Sequence, residues 1–155
     1  MPQLSMHTAF GDLSISEEAG VIVSIDWGWG AIQTPTPLLE EAVAQFNAYF
    51  DGDLRDFDLP VDPAGTPFQR RVWDLIARIP YGLTATYGTL ARELASSPRA
   101  VGMACGRNPI SIIIPCHRVL ASGGALGGYS GGDGLPTKTA LLRLEGSLPA
   151  RKRAG

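Results

Sequence analysis

The chain of 155 residues changes character at Pro63, and this change constrains its fold more than any other feature. Residues 1–63 carry one basic residue, Arg55, against 11 Asp and Glu, for a net charge of −10. Residues 64–155 carry 12 Lys and Arg against 4 Asp and Glu, for a net charge of +8. The total of −2 conceals this division. We therefore predict two domains, 1–63 and 64–155, of which the basic second one suits a polyanionic partner.

The first domain has the pattern of a small antiparallel sheet covered by a helix. Alternating apolar residues, separated by turn residues, predict three strands, over 4–10, 13–15 and 21–27. Apolar residues then recur at helical spacing over 38–50, which predicts an amphipathic helix on one face of the sheet. The segment 51–65 contains two prolines and is predicted to be a linker.

The second domain has the pattern of a set of helices. Thr66 can cap a helix that Pro67 starts and that ends by Pro80. Two more helices, 86–95 and 98–106, flank a turn at Ser96-Ser97 and predict a helix-turn-helix.

The second helix of this pair has two distinct faces. Val101, Ala104 and Cys105 form its apolar face, and the opposite face carries Arg99 and Gly102. The terminal run 151–153 is basic and is predicted to be a solvated end.

A thiol and an imidazole follow the longest apolar run of the second domain. Residues 110–114 read Ile-Ser-Ile-Ile-Ile and predict a buried strand, and Pro115-Cys116-His117-Arg118-Val119 follows at once. A cysteine beside a histidine at the end of a buried strand indicates a reactive thiol, because an adjacent base can take the thiol proton. The alternatives are a small buried hydrophobic residue for Cys116 and a hydrogen-bonded core histidine for His117.

Cysteine usage and hydropathy bear on location. The two cysteines, Cys105 and Cys116, form no disulfide framework and no zinc-ligand pattern, so we expect a reduced, cytoplasmic protein without a metal. No apolar stretch approaches the length of a membrane span, and the start lacks the order of a signal peptide. We expect no membrane partner and a monomer.

A series of motifs resembles one known family, the O6-alkylguanine-DNA alkyltransferases. The matching segments run almost continuously from Thr66 to Gly146, and they are Thr84-Ala85-Thr86-Tyr87-Gly88, Arg99-Ala100-Val101-Gly102, Asn108-Pro109, Ile114-Pro115-Cys116-His117-Arg118-Val119, Tyr129-Ser130-Gly131-Gly132 and Leu141-Leu142-Arg143-Leu144-Glu145-Gly146. Such a string of spaced motifs is far more specific than any one of them. The resemblance implies an α+β fold with a small ribonuclease H-like antiparallel sheet and a helix, followed by a mainly helical C-terminal domain that contains a helix-turn-helix.

The resemblance implies a repair reaction in which Cys116 takes an alkyl group from guanine O6 once per molecule. Glu145 would orient His117 through an intervening water, and His117 would take the thiol proton. Tyr87 would donate to guanine N3, and Asn108 would tie the turn before the active site. Substrate contacts would come from further residues of the two segments around the thiol, namely Val119, Tyr129, Ser130 and Gly131. No cofactor is needed, because guanine is the leaving group.

The resemblance also implies that the partner is double-stranded DNA carrying O6-alkylguanine. The helix-turn-helix would bind the minor groove, with Arg99 filling the space left by the flipped nucleotide and Ala100 and Gly102 close to the backbone. Two departures from the family pattern stand out. The turn at Ser96-Ser97-Pro98 is shorter than usual and lacks a glycine, and the insertion 133–137 is longer.

Three other functions stay open on the sequence. The first is a non-enzymatic, alkyltransferase-like protein that flags damage, although such proteins replace the cysteine that this chain retains as Cys116. The second is a cysteine hydrolase that uses Cys116, His117 and Glu145 over repeated turnovers. The third is a DNA-binding regulator that uses the helix-turn-helix alone.

Overall fold

A three-stranded antiparallel sheet and one helix make up the N-terminal part of the computed structural model, which describes residues 1–148. Strands β1 (Gln3–Met6), β2 (Leu13–Glu18) and β3 (Val21–Trp27) pair in the order β1-β2-β3, and helix α1 (Pro37–Phe50) packs on β1 and β2. The first strand is shorter than the predicted 4–10. The chain turns at Thr8, whose hydroxyl and carbonyl accept backbone hydrogen bonds from Phe10 and Gly11.

The core between sheet and helix follows the apolar pattern of the sequence. Helix α1 begins where the Thr36 hydroxyl accepts a 3.1 Å hydrogen bond from the Leu39 amide, with Pro37 at the first helical position. The residues that this layer buries completely or almost so are Leu13, Ile15, Ile22, Ile25, Leu39, Ala42, Phe46 and Tyr49. The three strands and the helix that apolar periodicity predicts for this part of the chain are therefore present.

The outer edge of β3 is covered by residues from later in the chain. The Ile22 amide donates to the Pro60 carbonyl and the Ile25 amide to the Pro109 carbonyl, each at 2.9 Å. The predicted linker 51–65 contains no helix or strand. The hydrogen bond between Ile22 and Pro60 nevertheless holds it on the sheet. The turn that precedes Cys116 is held on the same edge.

Four helices dominate the C-terminal part, as predicted, so the fold is α+β. The elements in chain order are α2 (Pro67–Ala77), β4 (Ala85–Thr86), α3 (Tyr87–Glu93), α4 (Pro98–Gly106), a 3₁₀ turn (Cys116–Arg118), β5 (Val119–Leu120), a second 3₁₀ turn (Ser122–Gly124) and α5 (Leu135–Leu144). Strands β4 and β5 pair in parallel. Thr66 and Gln69 form a complete capping box at the start of α2, which confirms the predicted cap.

The helix-turn-helix closes without the glycine that its turn was expected to need. Ala95 adopts a left-handed backbone with φ of 51°, and the Ser96 amide donates to the Ala91 carbonyl at 2.9 Å. The Ser97 hydroxyl then accepts a 3.1 Å hydrogen bond from the Ala100 amide and caps α4. A left-handed alanine costs about 1 kcal/mol relative to glycine. Helices α3 and α4 pack on each other on either side of this turn.

The prediction of a buried strand over 110–114 is wrong. The segment is a compact turn in which the Ile114 amide donates to the Ile110 carbonyl at 3.0 Å and Ile112 has a φ of 72°. Residues Ile110, Ile112 and Ile114 are all buried, at 0, 2 and 4% exposure. A short apolar run indicates burial but cannot distinguish a strand from a folded turn that is enclosed on all sides.

The described residues contain no helix long and apolar enough to cross a membrane. The basic run 151–153 lies outside the described residues, so its predicted exposure stays a prediction.

Candidate active site

A cavity of about 400 Å³ brings together residues from four separate segments. Its lining comprises Tyr87, Gly102, Cys105, Gly106, Cys116, Gly128, Tyr129 and Ser130. Five of these were predicted as site residues. The volume lies in the range of roughly 300–1,000 Å³ that is typical of ligand pockets. A cavity of about 430 Å³ between Pro63 and Trp73 contains neither a thiol nor a histidine in its lining, so the cavity beside Cys116 is the candidate site.

The Cys116 thiol sits at the wall of this cavity. The residue begins a 3₁₀ turn, and its backbone amide donates to the Ile114 carbonyl at 2.8 Å. Its side chain is mostly enclosed, and the Asn108 amide donates to its sulfur at 3.3 Å. A hydrogen bond with Cys105, followed by burial, raises the pKa of Cys116 well above its usual range. The thiol is therefore protonated at neutral pH and needs a base to become a nucleophile.

His117 is fully buried and forms a 2.8 Å hydrogen bond from Nε2 to Oε2 of Glu145. Burial lowers the pKa of His117, although the hydrogen bond and the negative charge of Glu145 act in the opposite direction. An ionised carboxylate can only accept, so Nε2 carries the proton of the neutral ring. Nδ1 then has a free lone pair, and this atom has no hydrogen-bonding partner among residues 1–148. Nδ1 is therefore the ring atom that is free to accept a proton. The contact between His117 and Glu145 is direct, whereas the resemblance implied an intervening water.

Glu145 is the centre of a buried network. It accepts hydrogen bonds from Arg118 at 2.8 and 3.1 Å, from His117, and from the Tyr49 hydroxyl at 2.6 Å. Burial by itself would raise the pKa of Glu145, but the hydrogen bonds from His117 and Arg118 prevail and lower that pKa to about 2. Arg118 also donates to the Ile79 carbonyl at 2.7 Å. The guanidinium therefore pairs within the protein.

Asn108 holds the turn that leads to the thiol. Its side-chain amide donates to the Ile114 carbonyl at 2.8 Å, and its side-chain oxygen accepts from the Ile110 amide at 2.9 Å. These bonds clamp both ends of the turn in which Ile112 has its left-handed backbone. Asn108 thereby fixes where the backbone places Cys116.

Tyr87 forms the opposite side of the cavity at the first position of α3. Thr86 caps this helix, because its hydroxyl accepts a 3.1 Å hydrogen bond from the Thr89 amide. Burial, with the nearby Cys105 and Cys116, raises the pKa of Tyr87 to about 12. Its hydroxyl is therefore a neutral hydrogen-bond donor at physiological pH.

The loop 128–131 borders the cavity, and close contacts hold it at both of its ends. A Cβ on Gly131 would lie 2.5 Å from Nε1 of Trp27, so this loop packs on the end of β3 too closely for a side chain. The buried Lys138 Nζ donates to the Val119 carbonyl at 2.7 Å and to the Gly128 carbonyl at 3.2 Å. Burial lowers the pKa of Lys138. Gly131 and Val119 thus support the site and do not belong to the cavity lining.

Helix α4 presents a face of small residues beside the cavity. Arg99 is exposed in its first turn, and Ala100 is half-buried. A Cβ on Gly102 or Gly106 would meet no heavy atom within 4 Å, although both residues line the cavity. Packing within the protein therefore does not require glycine at either position, and their small size keeps this side of the cavity open.

Three residues around the thiol were missed from the sequence as parts of the site. Tyr49 was assigned to the first domain and Cys105 to the apolar face of α4, while Lys138 had no assigned role. Each belongs to an element whose pattern predicts burial, but the sequence does not indicate which buried residues meet across the fold. Of the three, only Cys105 could have been found from the sequence, because it is a second thiol on the predicted apolar face of α4, shortly before Cys116 in the chain.

Comparisons with known proteins identify the family of the chain. Two family models match, the 6-O-methylguanine DNA methyltransferase ribonuclease-like domain over residues 4–63 and the DNA-binding domain of the same family over residues 67–147. The chain is 44% identical over 143 residues to a methylated-DNA--protein-cysteine methyltransferase of Methanosarcina acetivorans, covering 87% of this chain and 90% of the relative. A protein of the same name from Mycobacterium bovis is 50% identical over 117 residues, covering 74% and 70%.

A solved structure has the same fold. The crystal structure of Mycobacterium tuberculosis OGT in complex with DNA superposes with a TM-score of 0.85 at 39% identity, covering 95% of this chain and 94% of that one. The resemblance seen in the sequence motifs is confirmed by the family models and by these relatives. The chain belongs to the 6-O-methylguanine DNA methyltransferase family.

Proposed function

We propose that the protein repairs DNA directly by moving an alkyl group from guanine O6 to the sulfur of Cys116. The observation that carries this proposal is the position of the Cys116 thiol at the wall of an open cavity, next to the buried His117–Glu145 pair. The names of the relatives and the DNA in the related structure support the same reaction. Location in the cytoplasm, with access to chromosomal DNA, is part of the proposal.

The first step is removal of the thiol proton. The pKa of Cys116 is raised, so few molecules hold a thiolate at rest, and the proton must leave as the nucleophile forms. Nδ1 of His117 would accept it through an intervening water, and the positive charge that develops on the ring faces the Glu145 carboxylate at 2.8 Å. Glu145 is itself held by Arg118 and Tyr49, so the imidazolium is stabilised without movement of the carboxylate.

The second step is in-line displacement at the alkyl carbon. A sulfur–carbon bond forms as the bond from carbon to guanine O6 breaks, and the bonding electron pair remains on the guanine ring. The Tyr87 hydroxyl would stabilise this charge by donating to ring nitrogen N3. The product is a thioether, a bond that the reaction does not reverse, so each molecule reacts once and no cofactor takes part.

The target nucleotide must leave the base stack to reach the thiol. Flipping costs a few kcal/mol. Helix α4 would enter the minor groove with its face of small residues, and Arg99 would occupy the space left in the stack. Tyr129 and Ser130 line the cavity where the flipped base would bind.

The decisive experiment is incubation of the wild-type protein and of Cys116→Ser with duplex DNA that contains O6-methylguanine, followed by peptide mass spectrometry. We expect one methyl group per wild-type molecule, on Cys116, and none on the variant. Binding of the duplex without any methyl adduct would identify a damage-flagging protein instead. Repeated turnover of an ester or peptide substrate would identify a hydrolase, and a Cys116→Ala variant with full biological effect would identify a regulator.

The role of Arg99 has its own test. If Arg99 replaces the flipped nucleotide, Arg99→Ala should slow methyl transfer from a duplex by about tenfold or more and affect a single-stranded substrate much less, because an unpaired base costs less to unstack. Arg78→Ala removes the same charge from an exposed position at the end of α2 and serves as the control. Equal slowing of both substrates by Arg99→Ala would exclude a role in base flipping.

A further inference from the structure

The two thiols of the protein are direct neighbours. Cys105 lies in the last turn of α4 and lines the same cavity as Cys116, where its thiol contributes to the raised pKa of Cys116. Asn108 connects the same two residues, because its backbone amide donates to the Cys105 carbonyl at 3.2 Å and its side chain donates to the Cys116 sulfur at 3.3 Å. Their separation is therefore fixed by the backbone on both sides.

Both sulfurs can be reached through the same opening. Cys105 and Cys116 are both free thiols, 8 and 6% exposed, and both line the cavity of about 400 Å³. Gly102 and Gly106 leave the α4 side of this cavity without side chains. A small molecule that enters the cavity therefore meets two sulfur atoms at once.

The number of ligating side chains in the cavity determines which kind of atom can be bound there. Residues 1–148 contain no group of three or more His, Cys, Asp or Glu side chains that could hold a metal ion. Structural zinc sites use four such ligands, so a pair of thiols is a poor zinc site. A trivalent arsenic atom that keeps one organic substituent needs two sulfur ligands. We propose that Cys105 and Cys116 form a dithiol site for organic arsenicals of the type R–As(OH)₂.

The chemistry of capture balances without an oxidant. Two arsenic–sulfur bonds replace two arsenic–oxygen bonds, and each thiol proton leaves with a hydroxyl group as water. Because the protons leave with the hydroxyl groups, the reaction can start from neutral thiols. The raised pKa of Cys116 disfavours oxidation by peroxide, which requires a thiolate. Capture itself does not depend on the proposed acceptor role of Cys116, but if that role holds, capture blocks repair.

The test uses the full chain and phenylarsine oxide, whose hydrated form is R–As(OH)₂ with a phenyl substituent. Intact-mass spectrometry follows binding, then a challenge with excess glutathione, then release by 2,3-dimercaptopropanol. We expect one phenylarsenic group per wild-type molecule, which survives glutathione and is removed by the dithiol. Cys105→Ser and Cys116→Ser should each lose the group in glutathione, because a single thiol competes poorly with excess monothiol.

Two results would overturn the dithiol site: loss of the group from the wild type in glutathione, or its retention by either variant. Cys105→Ala provides a second replacement if the serine variant does not fold, and thermal melting checks each protein. Methyl transfer is measured in parallel on the wild type. An adduct that resists glutathione on a protein that never accepts a methyl group would uphold the dithiol site and reject the proposed function alone.

Discussion

The Tyr49 hydroxyl donates a 2.6 Å hydrogen bond to Oε2 of Glu145, a residue 96 positions further along the chain. Tyr49 lies in α1, and Glu145 follows α5, so the bond joins the two parts of the chain inside the buried network around His117. Burial, followed by the charge of Glu145, raises the pKa of Tyr49, which therefore stays a neutral donor. The N-terminal part thus contributes a hydrogen bond to the buried His117–Glu145 pair.

Tyr49→Phe removes this bond and keeps the ring. We expect a loss of about 1.5–3 kcal/mol in the free energy of unfolding, because the acceptor is charged and buried. The Tyr49 bond lowers the pKa of Glu145, so the variant should have a higher Glu145 pKa and begin to unfold at a higher pH on acidification. Denaturant titrations across a pH series measure both effects.

Tyr81→Phe is the matched control for this change. The Tyr81 hydroxyl donates to the Leu144 carbonyl at 3.2 Å and makes no hydrogen bond to Glu145. The control should keep the acid transition of the wild type. An unchanged acid transition in Tyr49→Phe would show that the bond does not tune Glu145.

Glu145 should make the stability of the protein dependent on pH. Its pKa is about 2 in the folded state and near its ordinary value of 4.5 in the unfolded chain, so the unfolded state binds the proton at the higher pH. The resulting stabilisation, about 3 kcal/mol, is complete above roughly pH 5 and is lost as the pH falls towards 2. Glu145→Gln should flatten this part of the stability curve, as measured by chemical denaturation between pH 7 and pH 3.

The control for Glu145→Gln is Glu93→Gln, at an exposed position at the end of α3. This variant should keep the steep loss of stability below pH 5. An equally steep loss in Glu145→Gln would assign the acid sensitivity to other carboxylates.

The left-handed backbone of Ile112 gives a third stability prediction. Where the backbone has an ordinary negative φ, a protein with glycine is usually less stable than the same protein with alanine, by about 0.5–1 kcal/mol. At φ of 72° the Cβ of alanine is strained by roughly 1–2 kcal/mol, which glycine avoids. Ile112→Gly should therefore be more stable than Ile112→Ala, although both should be less stable than the wild type. The same pair at Ile110, which lacks a positive φ, should show the usual order when unfolding free energies are compared.

Gly102→Ala should change stability and repair in opposite directions. The position is in a helix and a Cβ there meets no heavy atom within 4 Å, so alanine should stabilise the protein by about 0.5–1 kcal/mol. The added methyl group narrows the cavity and the face of α4, so methyl transfer from duplex DNA should slow. Thermal melting and single-turnover kinetics test the two effects, and a faster or unchanged rate would contradict the proposed approach of α4 to DNA.

Local patterns in the sequence were sufficient to predict helices α1, α2 and α4, because apolar spacing, and at α2 the Thr66 cap, act within a few residues. The same local signals failed at 110–114. There the backbone is set by Asn108 and by contacts with β3, which the order of apolar residues does not encode.

The sequence by itself determined the chemical groups of the candidate site, because Cys116, His117 and Arg118 are adjacent and the motifs around them are specific. Only the tertiary structure decided the pKa values of these groups. Glu145, Tyr49 and Cys105 come from distant parts of the chain, and their effect on pKa depends on distances of a few ångströms inside a low-dielectric interior. Spacing along a chain does not fix such distances; the packing of α1, α4 and α5 around the thiol does.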